Sequence, residues 1–167
     1  MSSFGIGGTN VHAILEAPNM DMKNRQKSRS DKGQFIIPLS AQKQENLNQY
    51  VSDLLNYLQS SQEEINLNSM AYTLQVGRVP MFWRVVFVVR DIHELIEALR
   101  LFIDRKPNHC AFSGCMDNHS TLISDEEEQL LLNHWLDTGN VIKIAKWWAE
   151  GGIYNGPACM TVRNQPG

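Results

Sequence analysis

The sequence contains no run of about 18 apolar residues, so no stretch of it reads as a membrane-spanning helix. It also has no excess of one charge. Its 15 Lys and Arg against 18 Asp and Glu give a formal net charge of −3, which leaves no broad basic surface for nucleic acid or anionic lipid. The first residues lack the basic-then-apolar order of a secretory signal. Cysteine is scarce: Cys110, Cys115 and Cys159 are too few for a disulfide framework, and a reducing cytoplasmic setting is expected. The glycosylation-type triplet Asn118-His119-Ser120 is then not expected to be used. No internal repeat is present. Within 167 residues that are 43% hydrophobic there is material for one small core, but a catalytic domain with its own substrate cavity would be tight.

Hydrophobic patterning divides the chain. Val11–Ala17 fits a short, mostly buried strand that Pro18 ends. Residues 19–34 have no aromatic or β-branched residue and many Lys and Arg, which reads as a solvated tether. Phe35–Ser40 follows as a strand, with Pro38 placing it at a sheet edge or near its own end, and Ser40 positioned to cap a helix. Leu47, Tyr50, Val51, Leu54, Leu55 and Leu58 then recur at helical spacing. "NLNSMAYTLQVGR" predicts a shorter helix that Gly77 would close in the left-handed conformation.

Val85–Val89 is apolar on both faces and predicts a central strand. Asp91 with Glu94 forms a capping box ahead of an amphipathic helix that Pro107 stops, and "HCAFSG" predicts a last strand. Ser124 with Glu127 marks another helix start, where the acidic run Asp125–Glu128 suits the helix dipole. Leu130, Leu131, Leu132, Trp135 and Leu136 make that helix apolar nearly all round. "VIKIAKWWAEGG" is a final short helix closed by Gly151. Of its adjacent Trp147 and Trp148, one is expected in the core and the other at a contact surface. The fold class expected is α/β (α+β): a small three-stranded sheet with helices packed on it.

Tests for chemistry come back negative. "GIGGTN" has Asn10 where a dinucleotide fingerprint needs its last glycine, has no Lys for a phosphate loop, and is followed by a strand pattern where a helix is required. His109, Cys110, Cys115 and His119 are zinc-competent in kind but not in spacing, and Cys110, expected on a strand, reads as a small buried hydrophobe. His12, His93 and His134 sit in periodic segments as structural histidines, and no nucleophile–base set declares itself. The residues by themselves therefore describe a non-catalytic structural or docking module.

"SSFGIGGTNVHAILEAP" closely resembles the C-terminal end of a β-ketoacyl synthase domain of a modular polyketide synthase, with Val11 in place of the usual Ala. "PLSAQKQENLNQYVSDLLNYLQ", "AYTLQVGR" and "HELIEALRLFI" resemble the linker domain that follows such ketosynthases, and "IAKWWAEGGIYN" resembles the helix that wraps back toward the ketosynthase. The resemblance implies four parts: a ketosynthase loop and strand at residues 1–18, a flexible linker at 19–34, an α/β ketosynthase-to-acyltransferase linker domain at 35–116, and a helical wrap-back segment with its tail at 117–167. In that scheme the first strand is an orphan of the ketosynthase sheet.

The resemblance further implies that the backbone amide of Ile6, in the loop Phe4, Gly5, Gly7, Gly8, Thr9 and Asn10, borders the ketosynthase oxyanion hole. The family's nucleophilic Cys and paired catalytic His are not in this sequence, so no catalysis by the chain alone is expected. No acyltransferase nucleophile pattern is present, which resembles modules served by a trans-acting acyltransferase. The implied partners are the remainder of the ketosynthase, that acyltransferase and an acyl carrier protein. The parent would handle acyl chains on phosphopantetheine, while the segment itself would bind no cofactor and no metal. An alternative role is the complementing C-terminal piece of a split ketosynthase that condenses acyl and malonyl thioesters. Met1 stands where the family continues upstream, Gly156 stands at a usual Trp, and "ACMTVRNQPG" departs from the usual ending, so the chain reads as cut at both ends.

Overall fold

The computed structural model describes residues 2–4, 10–12, 33–61, 64–116 and 125–152, with backbone alone for the first two stretches. The chain separates into two compact units, Met1–Asp31 and Lys32–Gly167. In the first, β1 (Ser2–Phe4) pairs antiparallel with β2 (Asn10–His12), Phe4 opposite Asn10 and Ser2 opposite His12. The strand read at Val11–Ala17 is described as far as His12. That a strand precedes the glycine loop was not expected. The pair it makes is an antiparallel ribbon, which differs from the parallel strand–helix–strand turn of a nucleotide site.

The second unit is built on a three-stranded antiparallel sheet in the order β3 (Phe35–Ala41), β4 (Trp83–Val89), β5 (Ala111–Cys115). Val85–Val89 lies in the central strand, as its two-sided apolar pattern predicts. Pro38 lies in an edge strand, where a missing N–H costs no ladder bond on the outer side. Register pairs Ile37 with Phe87 and Ile36 with Val88. Alternation then sends Ile37, Leu39, Val85, Phe87 and Val89 to one face and Ile36, Val86 and Val88 to the other.

The first face is covered by α1 (Gln44–Ser60), α2 (Leu67–Val76) and α3 (Ile92–Ile103). Leu47, Val51, Leu58, Ala71, Leu95 and Leu99 are buried there. The second face is covered by α5 (Val141–Ala149), with α4 (Asp125–Asp137) packed on it. The result is three layers, helices on both sides of one sheet. None of the described helices is long and apolar enough to cross a membrane.

Helix ends follow local chemistry. Asp91 accepts from the Glu94 amide at 2.9 Å, while the Glu94 carboxylate reaches past Asp91 to the Arg90 amide at 2.6 Å, a capping box displaced by one residue. Asn66 and Asn140 cap α2 and α5 in the same way.

Several expectations are corrected. Ser40 does not cap α1. The strand continues to Ala41, the cap position is Lys43 without a side-chain bond, and the Ser40 hydroxyl accepts from the Met81 amide instead. Gly77 is right-handed at φ −85°, and its hydrogen is needed for close approach, since a Cβ would lie 2.7 Å from the Thr73 carbonyl oxygen. Cys110 precedes β5 rather than lying on it. Of the apolar side chains of α4, Leu132 is buried but Leu130 and Leu131 face solvent, because only one side of α4 meets α5. Ser124 lies outside the described residues.

Candidate functional site

The chemistry of the second face centres on Arg84. Alternation along "WRVVFVV" sets it on the side of Val86 and Val88, and its residue is 1% exposed. Its Nε donates to the Met81 carbonyl at 2.9 Å, and its Nη1 donates to the carbonyls of Trp148 at 2.9 Å and Gly152 at 2.8 Å. The guanidinium carbon stands 4.9 Å from the centre of the Trp148 ring, within cation–π range. Burial pushes the guanidinium pKa below its ordinary value. The group remains a cation matched to three backbone carbonyls, one of them at the C-terminus of α5, where the negative end of the helix dipole lies. Arg84 thus ties the central strand to the end of a helix more than sixty residues later in sequence.

The surroundings are shaped to admit that tie. Gly151 has φ 121°, a backbone state that side chains rarely adopt, and a Cβ on Gly152 would collide with the Trp147 ring. Trp147 donates its Nε1–H to the Glu128 carboxylate of α4. Both tryptophans are therefore buried, at 9% and 5% exposed, where one was expected to be a surface contact. α5 is enclosed between the sheet and α4, so neighbouring side chains each find a covered side. Lys146 lies 5.3 Å from the Phe112 ring centre and Lys143 lies 5.9 Å from that of Trp135, so both stems shield apolar surface.

Two hollows flank these elements. A groove of about 860 Å³ runs beside β5, between the start of α1 and the end of α3. A smaller one of about 400 Å³ is lined by β3, by residues 77–81 and by Trp148. Val79 and Met81, which line the second hollow, are exposed apolar residues, as are Tyr72 and Val76 of α2.

The residues singled out in the sequence fall as follows. Phe4 and Asn10 pair across the β1–β2 ribbon, while Gly5, Ile6, Gly7, Gly8 and Thr9 lie outside the described residues, as does His119. The Cys110 Sγ lies 3.6 Å from a Glu94 carboxylate oxygen, and burial together with that carboxylate raises its pKa, so it is a protonated donor. Cys115 sits opposite Trp83 at the far end of β5. No cluster of three metal-ligating side chains forms among the described residues. Arg84 itself was passed over in the sequence. The available signal was a lone cation inside a strand apolar on both faces.

Residues 38–106, from within β3 to just past α3, match the family of RhiE-like, KS-MAT linker domains. Over 159 residues the chain is 33% identical to the polyketide synthase PksN of Bacillus subtilis strain 168, covering 90% of this chain and 3% of that protein. The ketosynthase from module 1 of the bacillaene synthase of Bacillus amyloliquefaciens FZB42 superposes with a TM-score of 0.66 at 32% identity, covering 99% of this chain and 29% of that one. The ketosynthase from module 6 of the bacillaene synthase of Bacillus subtilis 168 gives 0.68 at 29% identity, covering 74% and 24%. The fold is thus that of a small α+β unit found within ketosynthase-containing chains. Residues 38–106 are thus of the RhiE-like, KS-MAT linker kind, and over 90% of its length the chain is similar to a polyketide synthase. It spans a few per cent of the length of its curated relatives and under a third of the ketosynthase structures.

Proposed function

We propose that this segment is a non-catalytic spacer that follows a ketosynthase and scaffolds or docks a trans-acting acyltransferase. The observation that carries this reading is the Arg84 tie. It joins β4, the segment at Met81 and the end of α5 into one body, as a spacer requires. The exposed apolar residues Tyr72, Val76, Val79 and Met81 are of the kind that partners cover. The whole synthase would work on acyl chains held as phosphopantetheine thioesters by an acyl carrier protein, with the reacting groups supplied by the ketosynthase.

The purified chain is expected neither to accept an acyl group from a thioester nor to condense two of them; turnover of either kind overturns the non-catalytic reading. It is expected to bind the acyltransferase that serves the same synthase. Absence of binding at high micromolar concentration by calorimetry overturns the docking reading.

A second reading has one observation in its favour. Phe4 and Asn10 pair across the ribbon and so bracket the loop containing Ile6. A loop held at both ends suits a backbone donor aimed at an oxyanion. Here the chain would complete a ketosynthase made in two pieces. Restoration of condensation when the chain is mixed with a ketosynthase lacking this end would support it, and no restoration would end it.

A further inference from the structure

We propose that the groove beside β5 is a docking site for an extended, acidic peptide segment, which adds to the sheet as a fourth strand. The edge of β5 carries the first half of the case. Val88 donates to the Cys110 carbonyl at 2.8 Å and Met116 to the Phe82 carbonyl at 3.0 Å, so Cys110 and Met116, which flank β5, mark the parity that faces β4. In an antiparallel ladder hydrogen-bonded pairs alternate with pairs that make no mutual bond. Between these two ends the register makes Phe87–Ala111, Val85–Ser113 and Trp83–Cys115 the non-bonded pairs. Ala111, Ser113 and Cys115 therefore turn their N–H and C=O groups outward. No described element pairs with them. A free edge of this kind is a template for another strand.

The groove supplies the second half. The same three residues line it, so a strand added at the edge sends every other side chain into a space of about 860 Å³. Leu47, Trp83 and Phe102 offer apolar contact there, and Arg105 and Lys106 offer positive charge. Among the described residues no Asp or Glu lines it. Lys106 is shared with Asp104 in a surface ion pair at 2.9 Å, an attraction of little worth at such exposure. Arg105 has no acidic partner among the described residues. An incoming segment that alternates apolar and acidic residues satisfies the edge, the apolar floor and the two cations together, whichever protein supplies it.

The test uses the full chain and two seven-residue peptides, one alternating valine with glutamate and one alternating valine with lysine. Amide exchange and backbone chemical shifts are followed by NMR during titration. The glutamate peptide is expected to bind, to protect the amides of Ala111, Ser113 and Cys115, and to bind at least about tenfold more tightly than the lysine peptide, since like charges oppose docking. Ser113→Pro removes an outward donor without removing a bond to β4, and is expected to abolish binding while leaving the urea midpoint close to wild type. Should that variant not fold, Arg105→Glu with Lys106→Glu, both on the surface, is expected to weaken the glutamate peptide by about tenfold or more. No protection at millimolar peptide, equal binding of both peptides, or binding unchanged in a folded variant overturns the proposal.

Discussion

The two faces of the sheet are held by different means. The first is an all-apolar core made by elements that lie within residues 35–103. The second is assembled by a helix that returns after a long excursion, and it is anchored by one buried cation and two tryptophans. One face is stabilised by the amount of apolar surface removed from water and tolerates graded loss. The other depends on a directed polar tie, and an unmatched buried polar group costs far more than a missing methylene. The family match ends at residue 106 and so covers the first face with its two strands, not the closing helix of the second.

The largest effect separates the two faces. Arg84→Ala removes the side-chain donor of the Trp148 and Gly152 carbonyls, of which Trp148 keeps the Gly151 amide, and opens space against a tryptophan ring. A loss of roughly 4 kcal/mol in urea unfolding is expected. Amide exchange should become fast in α5 while α1 and α3 stay protected; uniform loss across all helices would mean that the faces are not separable. Leu99→Ala, fully buried on the first face, is expected to cost about 3 kcal/mol and to lower protection in both faces, because β4 is shared.

Gly152→Ala drives a methyl into the Trp147 ring and should cost about 2 kcal/mol. Its effect should largely vanish in an Arg84→Ala background if both act through the same closure of α5, and additivity would contradict that link. The smallest effect concerns pH. The Cys110 thiol has a raised pKa in the folded state, so the unfolded chain loses that proton first as pH rises. Its contribution is present below the ordinary thiol value and is lost as pH climbs through the folded one. The urea midpoint should therefore slope downward as pH rises above the ordinary thiol value, and Cys110→Ala should flatten that slope.

The legibility of the two faces in the sequence differs for the same reason. The helical stripe from Leu47 to Leu58, the Asp91 cap and the central position of Val85–Val89 all follow from spacing, since period and capping act over a few residues. Misreadings fell where a partner lies far along the chain. Ser40 looked like a cap because the Met81 amide that claims its hydroxyl is 41 residues away. One of Trp147 and Trp148 is expected at a contact surface because their partners, Glu128 on α4 and Arg84 on β4, are remote in sequence. Gly77 was read as left-handed from its position after a helix, whereas the approach of the Thr73 carbonyl is what its missing side chain admits. The resemblance to ketosynthase linkers was carried by short phrases, and the relatives and superposed structures agree with it.

By itself the sequence determined the class of fold, the order of the elements from β3 onward, which strand is central and the family, because periodicity, caps and motif phrases are local properties of a chain. Tertiary structure alone decided that the last of the described helices closes the sheet, that both tryptophans are buried, that Arg84 serves as the pin and that β5, unpaired on its outer side among the described residues, borders a cationic groove. Each of those depends on which distant groups meet, and a buried charge or an unpaired edge acquires its meaning only from the neighbours that the fold brings to it.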